Sequence, residues 1–180
     1  MIDASEIEAH QALARLFGTL LLHELDLEML VELREPEVVS SLSSLGITVP
    51  EASTRDEIDR LAAEFHELIL RPQTGAPLVQ SLWTSGSYQG DPAVTLKKLA
   101  DVASLEFDAD EARGAEPDHL GVILLLWAET RGFAPEVADR IEADHIGWAV
   151  TPLGALGRDP GFYGQLGRAL QAWLGLLVKS

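Results

Sequence analysis

The chain of 180 residues contains no cysteine. Disulfides, thiolate metal sites and thiol nucleophiles are thereby excluded, and a reducing compartment is compatible with the composition. Basic residues are scarce as well: 13 Lys and Arg against 29 Asp and Glu give a net charge of −16 at pH 7. A surface of that sign repels phosphate backbones and anionic head groups, so nucleic acid is not an expected partner and a cationic one is the natural complement. Long apolar runs are missing too. The longest, Leu120 to Ala128, is about half of the roughly 20 residues that a bilayer crossing needs, so stable membrane insertion is not expected and the run reads as a buried core helix. The opening MIDASEIEAH has neither a basic region nor an apolar stretch, and no secretory signal is expected. The phosphate-loop, dinucleotide and nucleophile-elbow patterns G-x-x-x-x-G-K-[ST], G-x-G-x-x-G and G-x-S-x-G do not occur. No cofactor is expected.

What is present is helical periodicity. A 47% hydrophobic content beside a 23% charged fraction is the balance of a folded domain rather than a disordered tail. Residues 5–22 place Ile7, Leu13, Leu16, Phe17 and Leu20 at helical spacing, with Ser5 and Glu8 as a capping-box pair. A second piece, 27–45, is interrupted at Glu35-Pro36. Thr54 and Glu57 form another capping box ahead of Ile58, Leu61, Phe65, Leu68 and Ile69. Proline then marks the starts: Asp91-Pro92 opens a helix to about 105, Pro117 one to about 131, and Pro135 one to about 150. Asp159-Pro160 opens a last one with Phe162, Leu166, Leu170, Trp173 and Leu177 as its buried stripe. No run alternates polarity with hairpin chemistry. The expected fold is all-α: one helical-bundle domain over residues 1–180, with 71–90 as a long central connector and hinge.

The segment EPDHL, residues 116–120, sets two titratable side chains before the most apolar helix. With Pro117 as first helical residue, Asp118 and His119 fall in the first turn, where the helix dipole favours a carboxylate and a neutral imidazole. Asp118-His119-Leu120-Gly121 is echoed by Asp144-His145-Ile146-Gly147, and the turn at 132–134 lies almost midway between the two elements. An antiparallel hairpin would bring His119 and His145 to one end. Glu116 and His119, like Glu142 and His145, have the Glu-x-x-His spacing of di-iron bundles. That gives the alternative of a metal-dependent helical enzyme, although Glu116 precedes the proline and leaves the helical frame. Trp83 and Tyr88, in the connector, either tuck into the core or line a groove for a partner.

Taken together, Glu116-Pro117-Asp118-His119-Leu120, with Pro77, Ser81 and Trp83, Gly90-Asp91-Pro92, His145 with Trp148, and Pro160, Phe162 and Tyr163, resemble the TorD/DmsD/NarJ family of molybdenum-oxidoreductase chaperones. The resemblance runs from about residue 64 to 175. Val79 and Gln80 depart from the usual Tyr and Glu, and Gly161 interrupts the run before the last helix. The resemblance implies a cytoplasmic chaperone that is not an enzyme. Its partners would be the leader peptide, commonly of twin-arginine type, and the apo form of a molybdopterin oxidoreductase catalytic subunit, held until the cofactor is inserted. It further implies a monomer or a domain-exchanged dimer. Peptide contacts are expected from Asp118, His119, Trp83, Tyr88, Pro117, Gly121, His145 and Trp148, at the lip of an acidic, apolar cleft.

Overall fold

Caps and prolines position the elements much as the sequence suggests. In this computed structural model, which describes residues 4–71, 75–106, 112 and 114–177, α1 spans Ala4–Leu22 and already includes Ser5. Asp26 caps α2 (Leu27–Leu33) by accepting from Met29 N, and Pro36 opens α3 (Pro36–Ser44). The Thr54/Glu57 capping box is complete at the head of α4 (Arg55–Phe65), which runs on as one π-helical turn, His66–Leu70. Three of the starts differ from expectation by one to three positions. Gly90, not Asp91, caps α6 (Asp91–Val102); α7 (Leu120–Phe133) begins after His119 rather than at Pro117; and α10 (Phe162–Leu177) begins two residues beyond Pro160.

Two differences are larger. Within the stretch expected to be a connector, Gln80–Ser85 forms the short helix α5, closed by Gly86 in the left-handed region at φ 75°, where a residue without Cβ is unstrained. The helix expected over 135–150 is instead α8 (Pro135–His145), a 3₁₀ turn (Gly147–Ala149) and α9 (Val150–Leu156). The break comes where Ile146 is drawn into the interior and Gly147 follows it. Among the described residues no strand forms; a single isolated antiparallel bridge joins Val79 to His119. No described helix is long and apolar enough to cross a membrane.

The chain divides into two compact units. The first holds residues 1–23, 78–149 and 177–180. At its centre is α7, buried through Leu120, Val122, Ile123, Leu124, Trp127 and Ala128. Close approach of α1 to α7 depends on Gly18 and Gly121: a Cβ on Gly121 would lie 2.7 Å from Leu22 Cγ and 2.9 Å from Gly18 O. The second unit holds residues 24–77 and 150–176. Tyr163 is fully buried there, its ring 5.4 Å from that of Phe65 and 5.2 Å from that of Phe162, and its hydroxyl accepts from Leu25 N. The stripe of α10 is buried at all five expected positions, each worth about 1.5–3 kcal/mol relative to exposure.

Candidate functional site

The turn before α7 explains why Pro117 does not start the helix. His119 N donates to Glu116 O at 2.9 Å, closing a turn with Pro117 at the second position, which its fixed φ favours. Asp118 and His119 are then free to pair with another segment. Residues 78–90, the strap, supply it. Leu120 N donates to Leu78 O at 2.7 Å and Gln80 N to Asp118 O at 2.9 Å. Both Ser81 N and Ser81 Oγ donate to Asp118 Oδ2, at 2.7 and 2.5 Å. Ser81 Oγ in turn accepts from Gly90 N at 3.0 Å, so one serine ties both ends of the strap to one carboxylate. Asp118 is wholly buried, and its other oxygen, Oδ1, has no hydrogen-bond partner.

The two histidines meet neighbouring residues of the same strap. His119 bridges to Val79, and its Nδ1 accepts from Gly121 N at 3.1 Å, acting as the N-cap of α7. Burial pushes its imidazole down to about 4. The ring is neutral, as expected, but desolvation rather than the helix dipole is the cause. Gln80 Nε2 donates to Asp144 O at 3.0 Å, and Gln80 Oε1 lies 2.8 Å from His145 Nδ1. His145 also titrates below the ordinary imidazole value because it is buried; the carboxylates of Asp144 and Asp118 act against that, and Arg140 with it. Gln80, which the sequence offered only as a departure from a motif, is the residue that joins the strap to α8.

The remaining expected residues fall in three places. Trp83 and Tyr88 stand 42% and 50% exposed on the strap, so they are surface groups rather than core. Gly121 is spent on the contact with α1 described above, and Trp148 is half-buried with its indole N–H donating to His145 O at 2.8 Å. Asp118, His119 and His145 do not stand at an open lip; all three are buried, with the Asp118 carboxylate and the His145 ring bonded to the strap. The Glu-x-x-His arrangement does not assemble either. Glu116 Oε1 accepts from Gln89 Nε2, and among the described residues no three carboxylate or imidazole groups gather as metal ligands.

The concave feature next to the motif is a cavity of about 530 Å³ in the first unit. Pro117 forms part of its wall, with Leu96 and Ala100 of α6 and Val122, Leu125 and Leu126 of α7. Charged groups from both signs border it: Arg15 and Lys97, and the carboxylates Glu106 and Glu129. Arg15 and Glu129 pair at 2.9 Å but are each about half exposed, a pair that solvent largely screens. Nothing in the sequence alone singled out this cavity, because its walls come from helices far apart along the chain.

Residues 28–150 match the sequence profile of the nitrate reductase delta subunit family, and the chain belongs to that family. It is a redox enzyme maturation chaperone of the NarJ/TorD kind and not an enzyme, and the family implies a molybdoenzyme subunit as its client. No curated protein matches it in sequence. Among solved structures, a protein from Archaeoglobus fulgidus assigned as a redox enzyme maturation protein has the same fold. It superposes with a TM-score of 0.61 at 15% identity, covering 97% of each chain.

Proposed function

We propose that the chain binds the N-terminal leader of a molybdopterin oxidoreductase catalytic subunit, of twin-arginine type, and holds the apo subunit in the cytoplasm until its cofactor is inserted. The observation that carries this reading is the position of Pro117: one end of the EPDHL turn forms the wall of an apolar cavity whose border carries Glu106 and Glu129. A leader joins arginines to an apolar stretch, so it needs carboxylates beside a greasy groove. Val122, Leu125 and Leu126 take the apolar part in this reading, while Glu106, Glu129 and the net charge of −16 favour the arginines. Trp83 and Tyr88 add contact from the strap. Asp118, His119, Gly121, His145 and Trp148 act from behind, by fixing the strap and the head of α7.

Calorimetry with a synthetic leader, two arginines followed by an apolar stretch, tests the reading. Leu125→Glu is expected to weaken binding by at least about tenfold, since a charge in an apolar groove costs about 1.4 kcal/mol or more. Glu106→Gln with Glu129→Gln is expected to lower affinity mainly at low salt. Unchanged binding by both variants would remove the cavity from the proposal. Absence of binding by the unaltered chain would remove the leader.

A further inference from the structure

We propose that the strap is a proton-linked latch: it stays fastened over neutral His119 and His145 and lifts when these rings take up protons. The direction of each hydrogen bond carries the argument. Asp144 O can only accept, so the Gln80 atom that faces it, 3.0 Å away, is the amide nitrogen. Gln80 Oε1 is then the acceptor presented to His145 Nδ1 at 2.8 Å, and Nδ1 must carry the hydrogen. In the neutral ring Nε2 is therefore a bare lone pair, and it is buried without a partner. Its surroundings are Asp118 from the turn, Asp144 and Arg140 from α8, and Gln80 from α5. A proton on Nε2 would place a cation at a site only 3% exposed, where burial outweighs the two carboxylates.

His119 has the opposite tautomer. Its Nδ1 accepts from Gly121 N, so Nε2 carries the hydrogen in the neutral ring. A proton added at Nδ1 turns that acceptor into a donor facing another donor, and the cap of α7 is lost. Burial opposes the charge there as well. Each cation gains water only if the chain segment over it moves. Gln80 holds the His145 ring, and Val79, adjacent to it in the strap, is bridged to the backbone of His119. Because the closed strap disfavours protonation of both, binding of protons must favour the open one. An open strap bares Asp118 and its unpartnered oxygen. The latch carries Trp83 and Tyr88, the strap residues assigned above to leader contact, and to that extent it rests on that reading, but it is tested without any peptide, so either idea can fail alone.

The experiment uses the full chain with isotope-labelled histidine. Ring NMR reads tautomer and titration, and hydrogen exchange, corrected for the intrinsic rate, reads the amides of Gln80, Ser81 and Gly90. Expected are hydrogen on Nδ1 of His145 and Nε2 of His119, and titration of both below the ordinary value. Protection of the three strap amides should fall by about tenfold or more between about pH 7.5 and about pH 5 while that of Leu124 in α7 is kept. The double variant His119→Asn, His145→Gln, which keeps a capping acceptor and cannot titrate, is expected to show flat strap protection. Should the double variant not fold, the wild-type titration decides alone. Strap protection that is flat with pH in the wild type, the opposite tautomer on His145, or undiminished pH dependence in a folded double variant would overturn the latch.

Discussion

Ser81 and Asp118, 37 positions apart, meet at one carboxylate oxygen, which receives both the backbone N–H and the hydroxyl of the serine. Asp118 and Ser81 are both fully buried, so removing the acceptor strands two buried donors. Asp118→Ala is expected to destabilise the chain by about 2–4 kcal/mol, since bonds to a charged partner contribute about 1.5–3 kcal/mol and orphaned donors add their own cost. Asp118→Asn, which can still turn an oxygen toward Ser81, should lose less. Urea unfolding midpoints for the two variants check the order, and faster proteolytic cleavage between residues 80 and 90 in the alanine variant locates the damage.

Gly121 and Gly18 make a second testable contact. Their backbones are close enough that a methyl on Gly121 would sit 2.7 Å from Leu22 Cγ and 2.9 Å from Gly18 O. Leu22 can turn aside; a carbonyl on a packed helix cannot. Gly121→Ala is therefore expected to cost about 1–3 kcal/mol despite the better helix propensity of alanine. Gly147→Ala, where a Cβ meets nothing within 4 Å, is the control that should cost far less. Thermal melts of the pair make the comparison.

The difference between these two glycines was invisible in the sequence, where both follow an Asp-His-apolar triplet. Much else was legible because it is local. The Thr54/Glu57 box, the helices opened by Pro36 and Pro135, and the α10 stripe from Phe162 to Leu177 depend on residues within a turn or two of each other. What escaped is what depends on distant partners. Gln80–Ser85 has no side-chain cap and lies in a stretch rich in glycine and small polar residues; its first turn is fixed by Asp118. The same pairing pulls Asp118 and His119 out of the helix that Pro117 appeared to begin. For the site, spacing around the turn at 132–134 sufficed to bring His119 and His145 to one end. It could not tell that both rings would be covered, nor that the cavity would open beside Pro117 instead.

The buried imidazole of His119 fixes a pH dependence of stability. Its value falls from 6.5 in the unfolded chain to about 4 in the folded one, so between these values the unfolded state binds the proton and the folded state does not. The stabilisation is fully present above about pH 6.5 and is lost as pH falls toward 4. At about 1.4 kcal/mol per pH unit, the loss attributable to this ring is on the order of 3 kcal/mol. Glu57, held down to about 2 by the backbone N–H groups of Ser53 and Thr54, has its own window: its contribution is present above 4.5 and lost toward 2. Denaturant titrations from neutral to acid pH should show a smaller first loss in His119→Asn than in the wild type, the remainder coming from buried His145, whereas Glu57→Gln should alter only the more acid part.

Trp83 and Tyr88 separate binding from folding. Both are large, and both stand about half exposed on the strap. Substitutions at exposed positions usually change stability by no more than about 0.5 kcal/mol, whereas aromatic anchors at an interface commonly contribute more than about 1 kcal/mol of binding. Tyr88→Ala is therefore expected to leave the urea midpoint nearly unchanged while weakening the synthetic leader by about fivefold or more in calorimetry. Trp83→Ala, carried on α5 itself, should weaken it further. Equal losses in stability and affinity would instead assign both rings to holding the strap, and intact affinity would restrict peptide contact to the cavity walls at Val122, Leu125 and Leu126.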